Sequence, residues 1–230
     1  MKNSPSELQV ALETSATTTA LVYFSSSRPT QFPGATLILG HGAGAGQRSA
    51  FMVNIARALS ALGLDIVTFN FPYTEQGRRI PDRAPILESC YRSVIEAVRS
   101  EVASAKARLF IGGKSMGGRI ATQVAAADPQ LVLAGLVLLG YPLHPPGRPD
   151  QRRDKHLPSI KRPMLFIQGS RDAFGTPVEL KPILDALDHH ATLHVVEGGD
   201  HSFKLSSSQP AKQAAVIADI ERTIVEWIHT

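Results

Sequence analysis

The residues best placed to do chemistry lie in Gly112-Gly113-Lys114-Ser115-Met116-Gly117-Gly118, which follows the apolar segment Leu109-Phe110-Ile111 and precedes a segment with helical spacing. This is a G-x-S-x-G pattern in which the serine sits where a strand turns abruptly into a helix. The turn strains its central residue, and side chains at 113 and 117 would collide with neighbouring backbone, which accounts for the two glycines. Ser115 is thereby lifted above the sheet edge at a helix N-terminus, whose partial positive charge favours a developing anion. A hydroxyl is a poor nucleophile until a base takes its proton, so a histidine is expected downstream at a strand end. His201 meets that requirement, because Val195-Val196-Glu197-Gly198-Gly199-Asp200 reads as a strand breaking into a glycine loop immediately before it. The carboxylate that orients the imidazole belongs between the two, after another strand. Met164-Leu165-Phe166-Ile167-Gln168-Gly169-Ser170-Arg171-Asp172 supplies Asp172. An oxyanion hole needs two backbone N–H groups: Met116, the residue after the serine, offers one, and Ala43 in Gly40-His41-Gly42-Ala43-Gly44-Ala45-Gly46 offers the other.

Each choice has a rival. Asp200 adjoins His201, but a neighbour at i−1 points away from the ring it would have to orient, so Asp172 is preferred. Among the other histidines, His41 lies in the glycine loop and His194 inside a strand, and only His201 combines a loop after a strand with the right chain order. The glycine loop also has a dinucleotide-binding flavour, yet the next strand, Asp65-Ile66-Val67-Thr68-Phe69-Asn70, ends in Asn rather than the acid that would hold a ribose hydroxyl.

The elements that position these residues are readable as βα repetition. Two N-terminal strands, Leu8–Glu13 and Ala20–Phe24, form an antiparallel entry. Short, uniformly apolar runs then follow at Thr36–Leu39, Ile66–Phe71, Leu109–Ile111, Leu133–Leu139, Met164–Ile167 and Leu193–Val196, as expected of strands buried on both faces. Helices are predicted over Ala50–Leu62, from Pro85 to about Ser104, over Met116–Ala127 and Pro177–Leu187, and from Pro210 to the C-terminus. Cys90 reads as core filler and Trp227 as the contact that packs the last helix onto the sheet. The expectation is an eight-stranded, mainly parallel sheet with helices on both faces.

The chain resembles the small serine α/β-hydrolases of the dienelactone-hydrolase-like kind, in particular the predicted hydrolases related to the hydrolase-like subunit of the NSL acetyltransferase complex and to a testis-expressed homologue. The resemblance rests on His41-Gly42-Ala43-Gly44, Phe69-Asn70-Phe71-Pro72-Tyr73, Gly113-Lys114-Ser115-Met116-Gly117-Gly118, Gly140-Tyr141-Pro142-Leu143-His144-Pro145-Pro146-Gly147, Gln168-Gly169-Ser170-Arg171-Asp172 and Gly199-Asp200-His201-Ser202-Phe203. It implies the α/β-hydrolase fold, and the order Ser115, Asp172, His201 is the order of that fold's triads. In dienelactone hydrolase proper the nucleophile is cysteine, so that enzyme's substrate does not carry over. Only the Pro-rich stretch Tyr141 to Arg162 separates two central strands, which leaves no room for a full cap domain and favours short or soluble acyl groups. His41, Tyr73, Arg83 and Lys114 are candidates for substrate contact. The expected activity is carboxylesterase- or thioesterase-type hydrolysis without metal or organic cofactor. A non-catalytic interaction module, or amide cleavage or perhydrolysis on the same triad, are the alternatives.

Composition narrows the remaining classes. At 230 residues and about 100–200 residues per domain, one domain over 1–230 is expected. The net charge of +4 is concentrated between His144 and Pro163, where Arg148, Arg152, Arg153, Lys155, Lys161 and Arg162 face only Asp150 and Asp154. That segment has no aromatic residue and many prolines, unlike a nucleic-acid surface, and reads as a solvated loop or a rim that attracts anionic substrates. The longest apolar run, Leu131 to Leu143, is short of the roughly 20 residues a membrane span needs. The opening MKNSPSELQV shows neither an apolar h-region nor a small-residue cleavage site, so no secretory signal is expected. The single cysteine excludes a disulfide framework or a zinc site of several thiolates, so a cytoplasmic, reducing setting is expected.

Overall fold

The computed structural model describes residues 4–13, 16–26, 34–187, 190–206 and 210–230. Eight strands, β1 Ser6–Ala11, β2 Thr17–Tyr23, β3 Ala35–Gly40, β4 Asp65–Phe69, β5 Arg108–Lys114, β6 Gly135–Leu139, β7 Met164–Gly169 and β8 Ala191–Val196, form one sheet in the order β1-β2-β4-β3-β5-β6-β7-β8. β2 pairs antiparallel with β1 and β4, and every later pair is parallel. This is the expected α/β-hydrolase fold. Between β6 and β7 there is one 3-10 turn, Leu157–Ser159, and no cap domain.

Side chains alternate between two apolar layers, as a period of two demands of a strand buried on both faces. Leu37 and Leu39 join one layer with α1 (Ala50–Ala61) and α7 (Pro210–His229), through Met52, Ile55, Leu59, Ile220, Ile224 and Ile228. Ile38 joins the other with α3 (Ala84–Glu101), α5 (Met116–Ala127) and α6 (Pro177–Asp185), through Tyr91, Val94, Ile120, Val124, Leu180 and Leu184. Trp227 packs edge-on against Phe110 of β5, 5.9 Å between ring centroids, which is how α7 seats on the sheet. Cys90 is buried in α3, and burial pushes its thiol up to about 12, well away from a reactive thiolate.

Two expectations are corrected. The helix predicted from Pro85 to Ser104 breaks at Val102, whose extended backbone ends α3, and α4 (Ala103–Ala107) begins at once. The break buries Val102 and brings Ser104 under the sheet, where its hydroxyl bonds the Thr36 hydroxyl at 2.7 Å and Asp65. β8 is also not covered on both faces: it is the sheet's last strand, and Thr192 is exposed while Leu193, His194 and Val195 are half-buried. The remaining short helix, α2 (Pro72–Glu75), follows β4 directly.

Parallel register aligns the carboxyl ends of the central strands. Gly40 of β3 lies opposite Gly113 of β5, and Lys114 opposite Leu139 of β6. The loops leaving β3, β5, β6, β7 and β8 therefore meet at one edge, where ligands bind in open α/β sheets.

Candidate active site

Ser115 follows the last residue of β5 with φ 51° and ψ −116°, one of two described non-glycine residues at positive φ. The strain is held by close packing beneath it. A Cβ on Gly113, itself at φ +151°, would meet the Gly40 carbonyl oxygen at 2.3 Å, and one on Gly117 would meet the same oxygen at 2.1 Å. Larger side chains there would push α5 off β3. The Ser115 N–H donates to the Leu139 carbonyl at 2.9 Å, fixing the turn to β6. Below it, the Tyr91 hydroxyl donates to the Gly112 carbonyl at 2.7 Å while accepting from the Gly112 N–H at 3.0 Å, a buried prop that sequence reasoning missed.

Three side chains from three loops converge. His201 Nε2 lies 2.8 Å from Ser115 Oγ, and His201 Nδ1 lies 2.7 Å from Asp172 Oδ2. A carboxylate can only accept, so Nδ1 carries the proton and Nε2 is left to accept from the serine hydroxyl. The Asp172 side chain is fully buried, whereas the His201 ring keeps 21% of its surface exposed. Asp172 is further held by the Phe174 N–H at 2.8 Å on Oδ1 and by Gln168 Nε2 at 2.9 Å on Oδ2. Asp200 is occupied elsewhere: its Oδ1 accepts the Ser202 and Lys204 N–H groups and shapes the turn that carries His201.

Gln168 and Phe174 were not singled out from sequence. Gln168 is fully buried; it accepts the Tyr141 N–H at 2.8 Å and donates to the Gly175 carbonyl at 2.6 Å as well as to Asp172. The signal was a lone amide closing an otherwise apolar strand, which must find partners when buried. Phe174 stacks on the His201 ring at 4.2 Å between centroids, covering one face of the imidazole.

The glycine loop is equally specified. A Cβ on Gly42 would stand 3.7 Å from Ser115 Cβ, so the loop runs directly past the serine. His41 is buried, and burial lowers its pKa below the usual histidine range. The Phe71 N–H points at its Nε2 at 3.2 Å, which makes Nε2 the acceptor and Nδ1 the donor, to the Gly42 carbonyl at 2.8 Å. That bond turns the Gly42 carbonyl inward and, across the trans peptide, leaves the Ala43 N–H facing the other way. The buried Tyr73 hydroxyl donates to the Ala43 carbonyl at 2.9 Å, holding the next peptide.

Of the four residues expected to contact substrate, three direct their polar atoms at the protein's own backbone. His41 and Tyr73 turn inward because the loop's buried carbonyls need donors. Lys114 turns inward too, with 9% of its surface left and Nζ donating to the His201 carbonyl at 2.5 Å. Arg83 stays exposed at the start of α3, with no hydrogen bond or ion pair to the Ser115 cluster. In the cationic loop, Arg148, Arg152, Lys155 and Lys161 are exposed, Arg152 paired with Asp154, while His144 is buried against Glu179 at 3.1 Å. Among the described residues no helix is long and apolar enough to cross a membrane.

A family model for an alpha/beta hydrolase domain matches residues 33–229. Among solved structures, XC6422 from Xanthomonas campestris, an α/β serine hydrolase without a lid, superposes with a TM-score of 0.74 at 20% identity, covering 99% of this chain and 96% of its own. Dienelactone hydrolase from Anabaena variabilis gives 0.74 at 20% identity, with 98% and 97% covered. Est1E from Butyrivibrio proteoclasticus gives 0.72 at 12% identity, with 97% and 99% covered. At these identities the likeness is one of fold.

Proposed function

The chain belongs to the alpha/beta hydrolase family, and from that membership and the site's geometry we propose that it is a serine hydrolase of carboxylesterase or thioesterase type, cleaving short or soluble acyl esters through an acyl-enzyme on Ser115. The observation that carries the reading is the unbroken run from Asp172 Oδ2 through His201 to Ser115 Oγ, at 2.7 and 2.8 Å. Ser115 Oγ attacks the acyl carbon as its proton passes to His201 Nε2. The resulting imidazolium is stabilised by Asp172, which also keeps Nδ1 as the donor. The tetrahedral oxyanion is received by the Met116 and Ala43 N–H groups, and losing one such donor costs an enzyme of this kind about 10²–10³ in rate. Collapse returns the proton from Nε2 to the leaving oxygen or sulfur. Water then repeats the sequence on the acyl-enzyme with His201 as base.

The substrate class follows from what covers the site. Without a cap, little apolar surface is on hand to enclose a long acyl chain, so short or soluble acyl groups fit best. Within the family we place the chain beside the predicted hydrolases related to the NSL-complex subunit, on the Gly-Lys-Ser-Met-Gly-Gly and Gly-Asp-His-Ser-Phe motifs.

The test is labelling with a fluorophosphonate probe, read by intact mass on wild type, Ser115→Ala and His201→Ala, beside a p-nitrophenyl ester series from acetate upward. One adduct on wild type, none on Ser115→Ala, and turnover falling with chain length are the expected results. A folded wild type that neither labels nor turns over any ester defeats the proposal.

A further inference from the structure

Lys114 has no part in the steps above, yet among the described residues it is the one buried lysine or arginine beside them. From the end of β5 its side chain runs under the His201 loop, where Nζ donates to the His201 carbonyl at 2.5 Å and sits 5.3 Å from the centre of the Phe203 ring. The charged groups facing it are Asp172, from the loop after β7, and Asp200, from the loop after β8. Room for the ammonium is kept by Gly140 at φ +63° after β6, where a Cβ would stand 2.8 Å from Nζ, 3.1 Å from the His201 carbonyl and 3.4 Å from His201 Nδ1. Those approaches, measured from one point, put the ammonium in the same few ångströms as the imidazole edge that meets Asp172. Phe203, whose ring caps Nζ, is the second described non-glycine residue at positive φ, so the loop is bent to present that ring.

An apolar side chain would fill this space without the cost of desolvating a charge. What it could not do is bond the His201 carbonyl or answer the negative charge of Asp172, which is buried and hydrogen-bonded to the His201 ring. We propose that Lys114 is a positioning residue for His201: its ammonium fastens the loop that carries the imidazole and balances Asp172, so that Nε2 stays aimed at Ser115 only while residue 114 is cationic. The proposal rests on the serine-hydrolase reading and deepens it by adding a regulating charge.

A consequence separates this role from simple packing. Burial holds the Lys114 ammonium down at about 8, against the attraction of Asp172 and Asp200. The cation therefore predominates at neutral pH and is lost as pH rises past that value. An ordinary histidine-dependent hydrolase gains activity with pH until its imidazole is neutral and then holds a plateau, whereas this one is expected to decline again.

The experiment measures kcat/KM for p-nitrophenyl acetate and the rate of fluorophosphonate labelling from pH 6 to pH 10 on wild type, Lys114→Arg and Lys114→Met, with melting temperature recorded at each pH. Wild type should show an alkaline limb near pH 8. In Lys114→Arg, whose guanidinium stays charged throughout, the limb should vanish. Lys114→Met should lose the limb and be slower by about tenfold to a hundredfold at pH 7, the cost of an imidazole displaced by a fraction of an ångström to an ångström. An alkaline limb at the same pH in either variant, or a wild type that labels and turns over at a level plateau to pH 10, overturns the role of Lys114 while leaving the serine-hydrolase reading intact. Should one variant not fold, the other decides. A wild type unlabelled at every pH fails the reading beneath it, and this proposal with it.

Discussion

Replacing Gln168 by Met tests how far the reactive geometry depends on a residue that touches neither Ser115 nor the His201 ring. The side chain is fully buried and its amide joins three segments: it accepts the Tyr141 N–H at 2.8 Å and donates to Asp172 Oδ2 at 2.9 Å and to the Gly175 carbonyl at 2.6 Å. Methionine matches the volume and supplies no polar atom of that kind. Asp172 keeps His201 and the Phe174 N–H, but the Tyr141 N–H and the Gly175 carbonyl are left without partners in the interior. At about 1–3 kcal/mol for each buried orphan, the loss is about 2–6 kcal/mol. At roughly 2–4 °C per kcal/mol in a chain of this size, the melting temperature should fall by about 4–24 °C. The carboxylate also loses one of the donors that set its orientation, and the imidazole follows it. A displacement approaching 1 Å costs about 10²-fold in turnover. Thermal denaturation and kcat/KM for p-nitrophenyl acetate, measured below the variant's transition, read the two effects separately. Gln168→Glu sharpens the comparison, because it still accepts the Tyr141 N–H but sets a second carboxylate against Asp172. It should lose more turnover than the Met variant. If the Met variant melts within 2 °C of wild type and keeps its turnover within about twofold, Gln168 does not hold the Asp172 loop and the account of this network is wrong.

Three further outcomes are expected. Asp172→Asn should fold and bind substrate but lose about four orders of magnitude in kcat, because the amide donates to Nδ1 and leaves the proton on the wrong ring nitrogen; retention of more than a tenth of the activity would give the orienting role to another residue. Tyr73→Phe removes the hydroxyl that bonds the Ala43 carbonyl and should lower kcat by about tenfold with KM nearly unchanged, less than the 10²–10³ for losing an oxyanion donor outright; steady-state kinetics on two esters would show it, and an effect on KM alone would count against the oxyanion loop. The burial-lowered pKa of His41 means the unfolded chain takes up a proton there before the native one does, so stability is complete above about pH 6.5 and is lost as pH falls below it. The fall in melting temperature between pH 7.5 and pH 5.5 should shrink in His41→Asn, which keeps a donor for the Gly42 carbonyl; an identical fall in both proteins would mean His41 is not held neutral.

Much of this was legible because the fold repeats a short grammar. Apolar runs bounded by glycine give parallel strands, and a G-x-S-x-G between a strand and a helix admits few shapes. Ser115, Asp172 and His201 each stand just after such a run, so chain order alone brought them to one sheet edge. What sequence did not disclose is direction. His41, Tyr73 and Lys114 lie beside Ser115 in loop or motif, and from type and spacing they read as groups offered to a substrate. The structure turns all three inward, because the neighbouring loops bury carbonyls of Gly42, Ala43 and His201 that have no strand to pair with. Periodicity reports which face of a regular element is covered; it has no purchase on a loop, where the orientation of a polar side chain is decided by whichever backbone group is left unpaired nearby. The broken helix at Val102 and the exposed face of β8 were missed for a related reason, since both depend on where the sheet ends rather than on the residues of the segment itself.

That inward turn also explains how three separate loops act as one site. The β7 and β8 loops are joined directly, with the Arg171 N–H on the Gly199 carbonyl at 2.9 Å and Gly169 so close that a Cβ there would meet the Gly199 oxygen at 2.4 Å. Asp172 and His201 are therefore carried by one unit rather than two. Gln168 ties that unit to β6 through Tyr141, and Lys114 ties it to the strand that bears Ser115. Without Lys114, the link between the imidazole and β5 would be the His201–Ser115 hydrogen bond itself, which in the proposed reaction breaks and reforms in every turnover. A fastening that persists while that bond is broken is what returns Nε2 to the same place, and the ammonium on the His201 carbonyl is the contact in this structure positioned to provide it.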